Sequence, residues 1–396
     1  MSEIIGHNRN VLFFGGLPLS FIHPTYHVYV LETSHGTVTV NHTEGTSGTL
    51  VTVTALPDNG YELDSVALIG AVFINDNQFY INGHDVYINA VFTEIDYNPL
   101  NLPPYTMRLK FNSGFTPSSP SFLTGVVWTQ VSSSPNVWDV TYANSDWQLL
   151  LALVSDDLLE VLGANTSGVT NMSNLFQECY SLNKVAIFDT SNVTNMGSMF
   201  LTCTSLTSIP RFDTSKATSM AGMFFQCPIT TVPLFDTSNA TGIASMFAGC
   251  KSLTGVPLFD TSKATSMAGM FNGCSALVSL PQFNTSAVSA FSRFCMGCSS
   301  LSGVPLLDTS NATYLNDMYR ACVSIKEVPL YATDKAKYVQ DMFAHCRNVE
   351  QGALALYQQM STQTTPPSSH SGTFLNCGID TVAGAAELAQ IPSGWK

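Results

Sequence analysis

From residue 162 to 350, apolar and polar positions recur with a fixed period. One unit reads Phe188-Asp-Thr-Ser-Asn-Val-Thr-Asn-Met-Gly-Ser-Met-Phe-Leu-Thr-Cys-Thr-Ser-Leu-Thr-Ser-Ile-Pro210, and the next begins Arg211-Phe212-Asp213-Thr214-Ser215. Within it, Val193, Met196, Met199, Phe200 and Cys203 stand at i, i+3, i+6, i+7 and i+10, the spacing of an apolar helical stripe. Each unit is therefore expected to carry about two to three helical turns. Asp189-Thr190-Ser191 just upstream supplies the side-chain oxygens an N-cap needs, and predicts a turn plus cap. Leu206 and Ile209, followed by Pro210, predict a short extended segment on the opposite wall, because proline cannot donate a ladder hydrogen bond. Eight cysteines mark the period: Cys179, Cys203, Cys227, Cys250, Cys274, Cys298, Cys322 and Cys346 lie 24, 24, 23, 24, 24, 24 and 24 residues apart. Such a period means stacked units that bury their apolar faces against one another. The expected fold is α+β, a solenoid of about eight coils preceded by a small β-rich domain.

Other columns agree with the ruler. Threonine is unbroken at Thr166, Thr190, Thr214, Thr237, Thr261, Thr285, Thr309 and Thr333, and methionine recurs at Met199, Met223, Met246, Met270, Met318 and Met342. The sixth coil is irregular, with Phe294 in the methionine place and Cys295 in the phenylalanine place. Before the repeats, residues 37–40, 50–55 and 85–92 are rich in β-formers, and Pro57-Asp-Asn-Gly60 and Asn82-Gly83 supply turns. Residues 98–104 read as a linker, 105–111 as a strand, and Trp128, Trp138 and Trp147 as bulk for an amino-terminal cap. Beyond the repeats, 353–360 reads as a helix, 361–371 as a polar loop and 373–396, with Trp395, as the closing cap. The expected domains are an anchoring or assembly segment at 1–34, a β-rich domain at 35–97, linker and cap at 98–161, repeats at 162–350 and a terminal cap at 351–396.

The repeated unit resembles the BspA-like leucine-rich repeat of surface proteins, including its mycoplasmal lipoprotein-type variants, over about 162–349. That resemblance implies a right-handed leucine-rich-repeat solenoid of 24-residue coils, no catalytic centre, and a role in adhesion or partner recognition. Local departures are the short third coil around Cys227-Pro228-Ile229 and Ala332 in the aspartate column. Val51-Thr-Val-Thr-Ala-Leu-Pro-Asp-Asn-Gly-Tyr-Glu-Leu63, with the closing segment 85–92, is similar to a divergent internalin-type B-repeat. This second resemblance implies a small β-rich spacer or adhesion module on a bacterial or phage surface.

Composition narrows the function. Only 11% of the 396 residues are charged, against about 25% in an average soluble protein, so the surface must be built from Ser, Thr, Asn and Gly. A net charge of −13 argues against a nucleic-acid partner. The first sixteen residues show no basic leader before a long apolar core, and nothing approaches an 18-residue apolar run, so no secretory signal and no membrane insertion are expected. Folding in a cytoplasm would keep the cysteine column reduced, as a stack of small buried hydrophobes. Neighbours about 5 Å apart are within disulfide range, so pairing stays open.

Candidate chemistry is sparse. The column Asp189, Asp213, Asp236, Asp260 and Asp308, with Asn165 and Asn284, would stack carboxylates about one strand spacing apart, a separation that retaining glycosidases use. Identical environments cannot make one carboxylate acid and its neighbour base, so capping is the favoured reading. His23 and His27 are four apart, but Pro24 disfavours a helix, and a surface loop is expected. Cys295 and Cys298 form a C-x-x-C whose second half, needed for zinc, is missing. No metal or cofactor is expected. A binding face is expected on the variable column beside the prolines: Ile187, Arg211, Leu234, Leu258, Gln282, Leu306 and Leu330.

The functional expectation is a non-enzymatic recognition or structural protein of a phage particle, assembled in host cytoplasm. It would contact other virion proteins through its amino-terminal region and a bacterial surface protein or glycan through the solenoid, with homo-oligomerisation left open. The alternative is a bacterial cell-surface adhesin of the BspA-like type, and the remote one a glycan-cleaving, tailspike-like enzyme.

Overall fold

A computed structural model describes residues 25–31, 33–57, 61–69, 71, 73–75, 77–94, 101–117, 126–131, 136–142, 151 and 155–396. Most of the expected anchoring segment, His23, residues 98–100 of the linker and Trp147 lie outside them. The chain divides into two compact units, 1–95 and 96–396.

The first unit is built from strands β1 Tyr26–Val30, β2 Gly36–Val40, β3 Glu44–Gly45, β4 Leu50–Pro57, β5 Tyr61–Ile69, β6 Phe73–Asn75, β7 Gln78–Tyr80 and β8 Val86–Glu94. They form two four-stranded sheets, ordered β3-β1-β8-β5 and β2-β4-β7-β6. β1 runs parallel to β8, and the other described pairs are antiparallel. Alternation along the strands sends Val28, Val38, Val51, Val53, Phe79, Val86 and Ile88 into one core. The Asn82-Gly83 turn forms as expected, with Gly83 at φ 81°.

The second unit opens with β9 Thr106–Phe111, β10 Val126–Gln130, β11 Val137–Tyr142 and β12 Leu158–Asn165. β12 pairs in parallel with β13, Lys184–Val185, which already belongs to the first repeat, so the capping sheet runs into the repeats. Arg108 clamps Asp139 across two strands through bonds of 2.6 and 2.7 Å.

The expected α+β leucine-rich-repeat solenoid is not what the repeats form. The described chain is mostly strands in sheets. Its only helices with defined bounds are α1 Ala353–Ser361 and α2 Val382–Gln390, with a single 3-10 turn at Ser393–Trp395. Residues 162–350 contain no helix, and the two to three helical turns per unit are absent.

The reason lies in two columns of left-handed residues. Asn174, Ser198, Gly222, Ser245, Gly269, Arg293, Asp317 and Asp341 form one; Glu178, Thr202, Gln226, Gly249, Gly273, Gly297, Ala321 and His345 form the other, all with φ between 54° and 77°. Two left-handed residues four positions apart cannot sit in one right-handed helix. The chain instead makes consecutive tight turns, with Met199 N–H on Met196 O, Leu201 N–H on Ser198 O and Cys203 N–H on Phe200 O. Turns of this length return the same apolar residues inward that a helix would, which is why the spacing imitates a helical stripe.

Non-glycine residues pay about 1 kcal/mol or more for this conformation. Hydrogen bonding between repeats offsets it. The N–H groups of Met196, Ser198, Phe200 and Thr202 donate to the carbonyls of Ser219, Ala221, Met223 and Phe225 at 2.8, 2.8, 2.9 and 2.7 Å. Single parallel bridges link Asn171, Asn195, Ser219, Gly242, Ser266, Ala290, Tyr314, Tyr338 and Ser369 in turn. Under this ladder, Phe200, Phe224, Phe247 and Phe271 stack with centroids 5.7 to 5.8 Å apart. The extended segment expected on the proline wall makes no strand among the described residues beyond β13, only one bridge between Glu327 and Gln351.

The far end is closed as well. Phe374 N–H, whose counterparts donate to a following repeat, donates to Trp395 O at 2.9 Å. The Trp395 ring stacks on His370 at 4.1 Å. Gly352 at the start of α1 has no capping side chain, and Glu387 from α2 accepts from the N–H groups of Gly352 and Leu354 instead.

Candidate functional site

Each Asp-Thr-Ser triplet divides its work among three side chains. Asp189 Oδ1 accepts from the Ser191 N–H at 2.9 Å and the Ser191 hydroxyl at 2.6 Å, closing a local turn. Asp213 and Asp236 repeat both bonds, Asp260 and Asp308 hold the N–H of Ser262 and Ser310, and Asn165 and Asn284 take the same partners. The column therefore caps no helix, because no helix follows; it fixes turns. The Ser262 and Ser310 hydroxyls and then their N–H groups hold the Asp260 and Asp308 carboxyls below the usual range. A glycosidase acid needs the opposite shift.

The threonine between them is buried and faces the next repeat. Thr190, Thr214, Thr237, Thr261, Thr285 and Thr309 donate their hydroxyls to the carbonyls of Asp213, Asp236, Asp260, Asn284, Asp308 and Ala332 at 2.6 to 2.9 Å. Thr333, in the last of these repeats, is met by the amides of Gln359 and Gln363 from the closing segment.

The cysteines are buried thiols, none in a disulfide. Cys203, Cys227, Cys250, Cys274, Cys298, Cys322 and Cys346 each donate to a carbonyl of the preceding repeat at 2.9 to 3.1 Å. Burial pushes Cys179 and Cys346 up to about 12, and Cys250, Cys295 and Cys322 well above the ordinary thiol value. Cys295 and Cys298 are both inaccessible, as core residues. His27 lies in β1 rather than in the expected loop, 3.6 Å from Glu44 and 3.8 Å from Asp85 on opposite ring nitrogens. Among the described residues no three His, Cys, Asp or Glu side chains are grouped to hold a metal.

The variable column divides. Leu258, Leu306 and Leu330 are 59%, 61% and 57% exposed, and Gln282 is exposed between them. Leu234 packs partly against the core, and Ile187 and Arg211 are half-buried. Arg211 and Gln282 bond to the carbonyls of Leu234 and Leu306, one repeat on. Their replacement would thus disturb the stack as well as any surface.

One feature escaped the sequence reading. In the bridge column, where Ser219, Gly242, Ser266 and Ala290 are small, Tyr314 and Tyr338 stand in successive repeats. Their exposed rings stack at 5.0 Å and 0°. The signal was available as two large residues in a column of small ones.

With this geometry in place, comparison with known proteins adds two families. Residues 26–96 match the divergent InlB B-repeat domain, in accord with the resemblance read from the first unit's strands. No curated protein matches the chain. Residues 155–255 and 242–357 match the family described as Mycoplasma protein of unknown function, DUF285, in accord with the repeat resemblance. The two overlapping matches run over more than half of the 396 residues, and the chain belongs to that family.

Proposed function

We propose that the chain is a non-catalytic recognition protein of a bacterial cell surface, an adhesin of the BspA-like kind. It holds a protein partner against the wall formed by Leu258, Gln282, Leu306 and Leu330. The virion expectation gives way to its alternative, since both matched families suit a surface repeat protein. The observation that carries the reading is the exposed leucine wall, in a stack whose repeated Phe, Met and Cys columns are buried. Leu306 and Leu330 stand in adjacent repeats with Leu258 beyond Gln282, and monomeric proteins rarely leave large apolar patches without a use for them.

Burying a leucine side chain fully contributes about 1.5–3 kcal/mol. At three-fifths exposure each of these has about 1–2 kcal/mol to gain, and the three together about 3–5 kcal/mol. That amounts to about two to three and a half decades of affinity.

The test is binding of labelled protein to a panel of intact bacterial and epithelial cells, read by flow cytometry, with Leu306→Asp and Leu330→Asp as variants. The wild type is expected to bind at least one cell type. Protease treatment of those cells should remove binding, and either variant should weaken it at least tenfold with its melting temperature retained. Equal binding by wild type and both variants would remove the wall from the account.

A further inference from the structure

The stacked tyrosines stand on a different part of the repeat, eight residues along the chain from the leucine wall and beyond the Asp-Thr-Ser turn. We propose that Tyr314 and Tyr338, with Lys337, bind an acidic glycan.

Four observations lead there. First, neither ring serves the core: Tyr314 is 45% and Tyr338 37% exposed, while the column is filled elsewhere by small residues that sustain the same bridges. Second, each ring covers one face of the other, and the bridge neighbours on the outer sides are small. Tyr314 looks back on Ala290 and Tyr338 forward on Ser369, both too short to cover a ring. An open aromatic face beside a polar edge suits a pyranose, which presents C–H groups on one face and hydroxyls around its rim.

Third, the surroundings are polar rather than apolar. Thr313 and Lys337 precede the tyrosines, and Asn316 and Gln340 follow two residues on. Asn316 and Gln340 are already bonded to Ser292 and Ser369, and sugar hydroxyls, which both donate and accept, can join such a network where an apolar protein segment cannot. Fourth, the local charge has a sign. Lys335 is committed to Asn311 at 2.6 Å, and Asp317 and Asp341 are both engaged by Arg320 at 3.1 and 3.4 Å. Lys337 is exposed and makes no ion pair among the described residues, so it is a cation left to meet a carboxylate, with the exposed Asp334 three residues before it as the competing acid.

The stack itself supplies substitutions that should keep the fold. Tyr314→Ser and Tyr338→Ser install the residue found at Ser219 and Ser266, and Lys337→Thr installs the one found at Thr241 and Thr265. Binding of the full chain to oligogalacturonate, a hexuronic-acid oligomer, and to a neutral xylo-oligosaccharide of equal length is measured by calorimetry at two salt concentrations.

The expected result is binding of the acidic oligomer that is at least tenfold weaker in Tyr314→Ser. Lys337→Thr should bring the acidic oligomer down to the affinity of the neutral one, and added salt should do the same. Leu306→Asp should leave glycan binding unchanged, so that failure of this site and failure of the leucine wall are told apart. Binding of neither oligomer, equal wild-type affinity for the two, or indifference to Tyr314→Ser would overturn the proposal. Protease-sensitive cell binding that is lost in Tyr314→Ser without any glycan affinity would also overturn it, in favour of a protein partner.

Discussion

Replacing Thr261 by valine or by serine separates two explanations of the unbroken threonine column. Thr261 is 1% exposed, and its hydroxyl donates to Asn284 O of the next repeat at 2.6 Å. Valine keeps the shape and both branches but removes the donor of a part-buried bond, leaving the Asn284 carbonyl short of a partner at a cost of about 1–3 kcal/mol. Serine keeps the donor and loses one methyl group, about 0.8 kcal/mol. If the hydroxyl is the stitch between repeats, valine must be the more damaging change. If the column is there for packing, the order reverses, because valine adds apolar burial while serine removes it. Urea unfolding of the full chain, followed by circular dichroism, gives both numbers. The expected midpoints fall in the order wild type, serine, valine, with an unchanged slope for each. In thermal unfolding, the valine variant should melt about 2–6 °C lower, at about 2 °C per kcal/mol for a unit this large. A valine variant as stable as wild type, beside a destabilised serine variant, would refute the reasoning.

Three further predictions follow from the same contacts. The Asp260 and Asp308 carboxyls are held low by serine hydroxyls and N–H groups, so their stabilisation is present above the ordinary carboxylate value of about 3.9 and is lost as pH falls through the folded value. Asp260→Asn with Asp308→Asn should flatten the loss of melting temperature below about pH 4 and change little at pH 7, since Asn284 already makes the same turn with Ser286; an unaltered acid limb would count against it. No thiol should react with a colorimetric disulfide reagent in the native protein at pH 8, and all ten should react in urea; fast labelling of the folded chain would show that the column is open. Glu387→Ala should remove the acceptor for the first N–H groups of α1 at a cost of about 1 kcal/mol. Hydrogen exchange should then quicken in 353–361, and unchanged protection there would place the cap elsewhere.

How far the fold was legible depended on which property each residue signals. The cysteine ruler and the threonine and methionine columns state burial and period, and burial is what the structure shows for them. Strands β2, β4 and β8 lie where runs of β-formers put them, and α1 lies where a helix was expected. Inside the repeat, apolar spacing was ambiguous, because a chain of tight turns and a helix bring Met196, Met199, Phe200 and Cys203 to the same side. The deciding signal was backbone conformation, visible as Gly249, Gly273 and Gly297 directly before the cysteines and as Gly222 and Gly269 four residues earlier. At other positions of the two columns Thr202, Gln226 and Arg293 take the left-handed conformation with no help from composition, held by bonds to the next repeat. The leucine wall was legible as a variable column, but its burial was not. Leu234, one repeat before Leu258, packs against the core while Leu258 does not. Tyr314 and Tyr338 were hidden because they break a column of small residues instead of repeating along one.

The central claim is that this stack is displayed at a cell surface to meet a partner. Brief protease treatment of intact cells that encode the chain, followed by mass spectrometry of the released peptides, tests it most directly. Release of peptides from 162–350 at the rate of known surface proteins, with cytosolic markers retained, is the predicted result. Release only after lysis, or recovery of the chain in purified virus particles and not in envelopes, would contradict it.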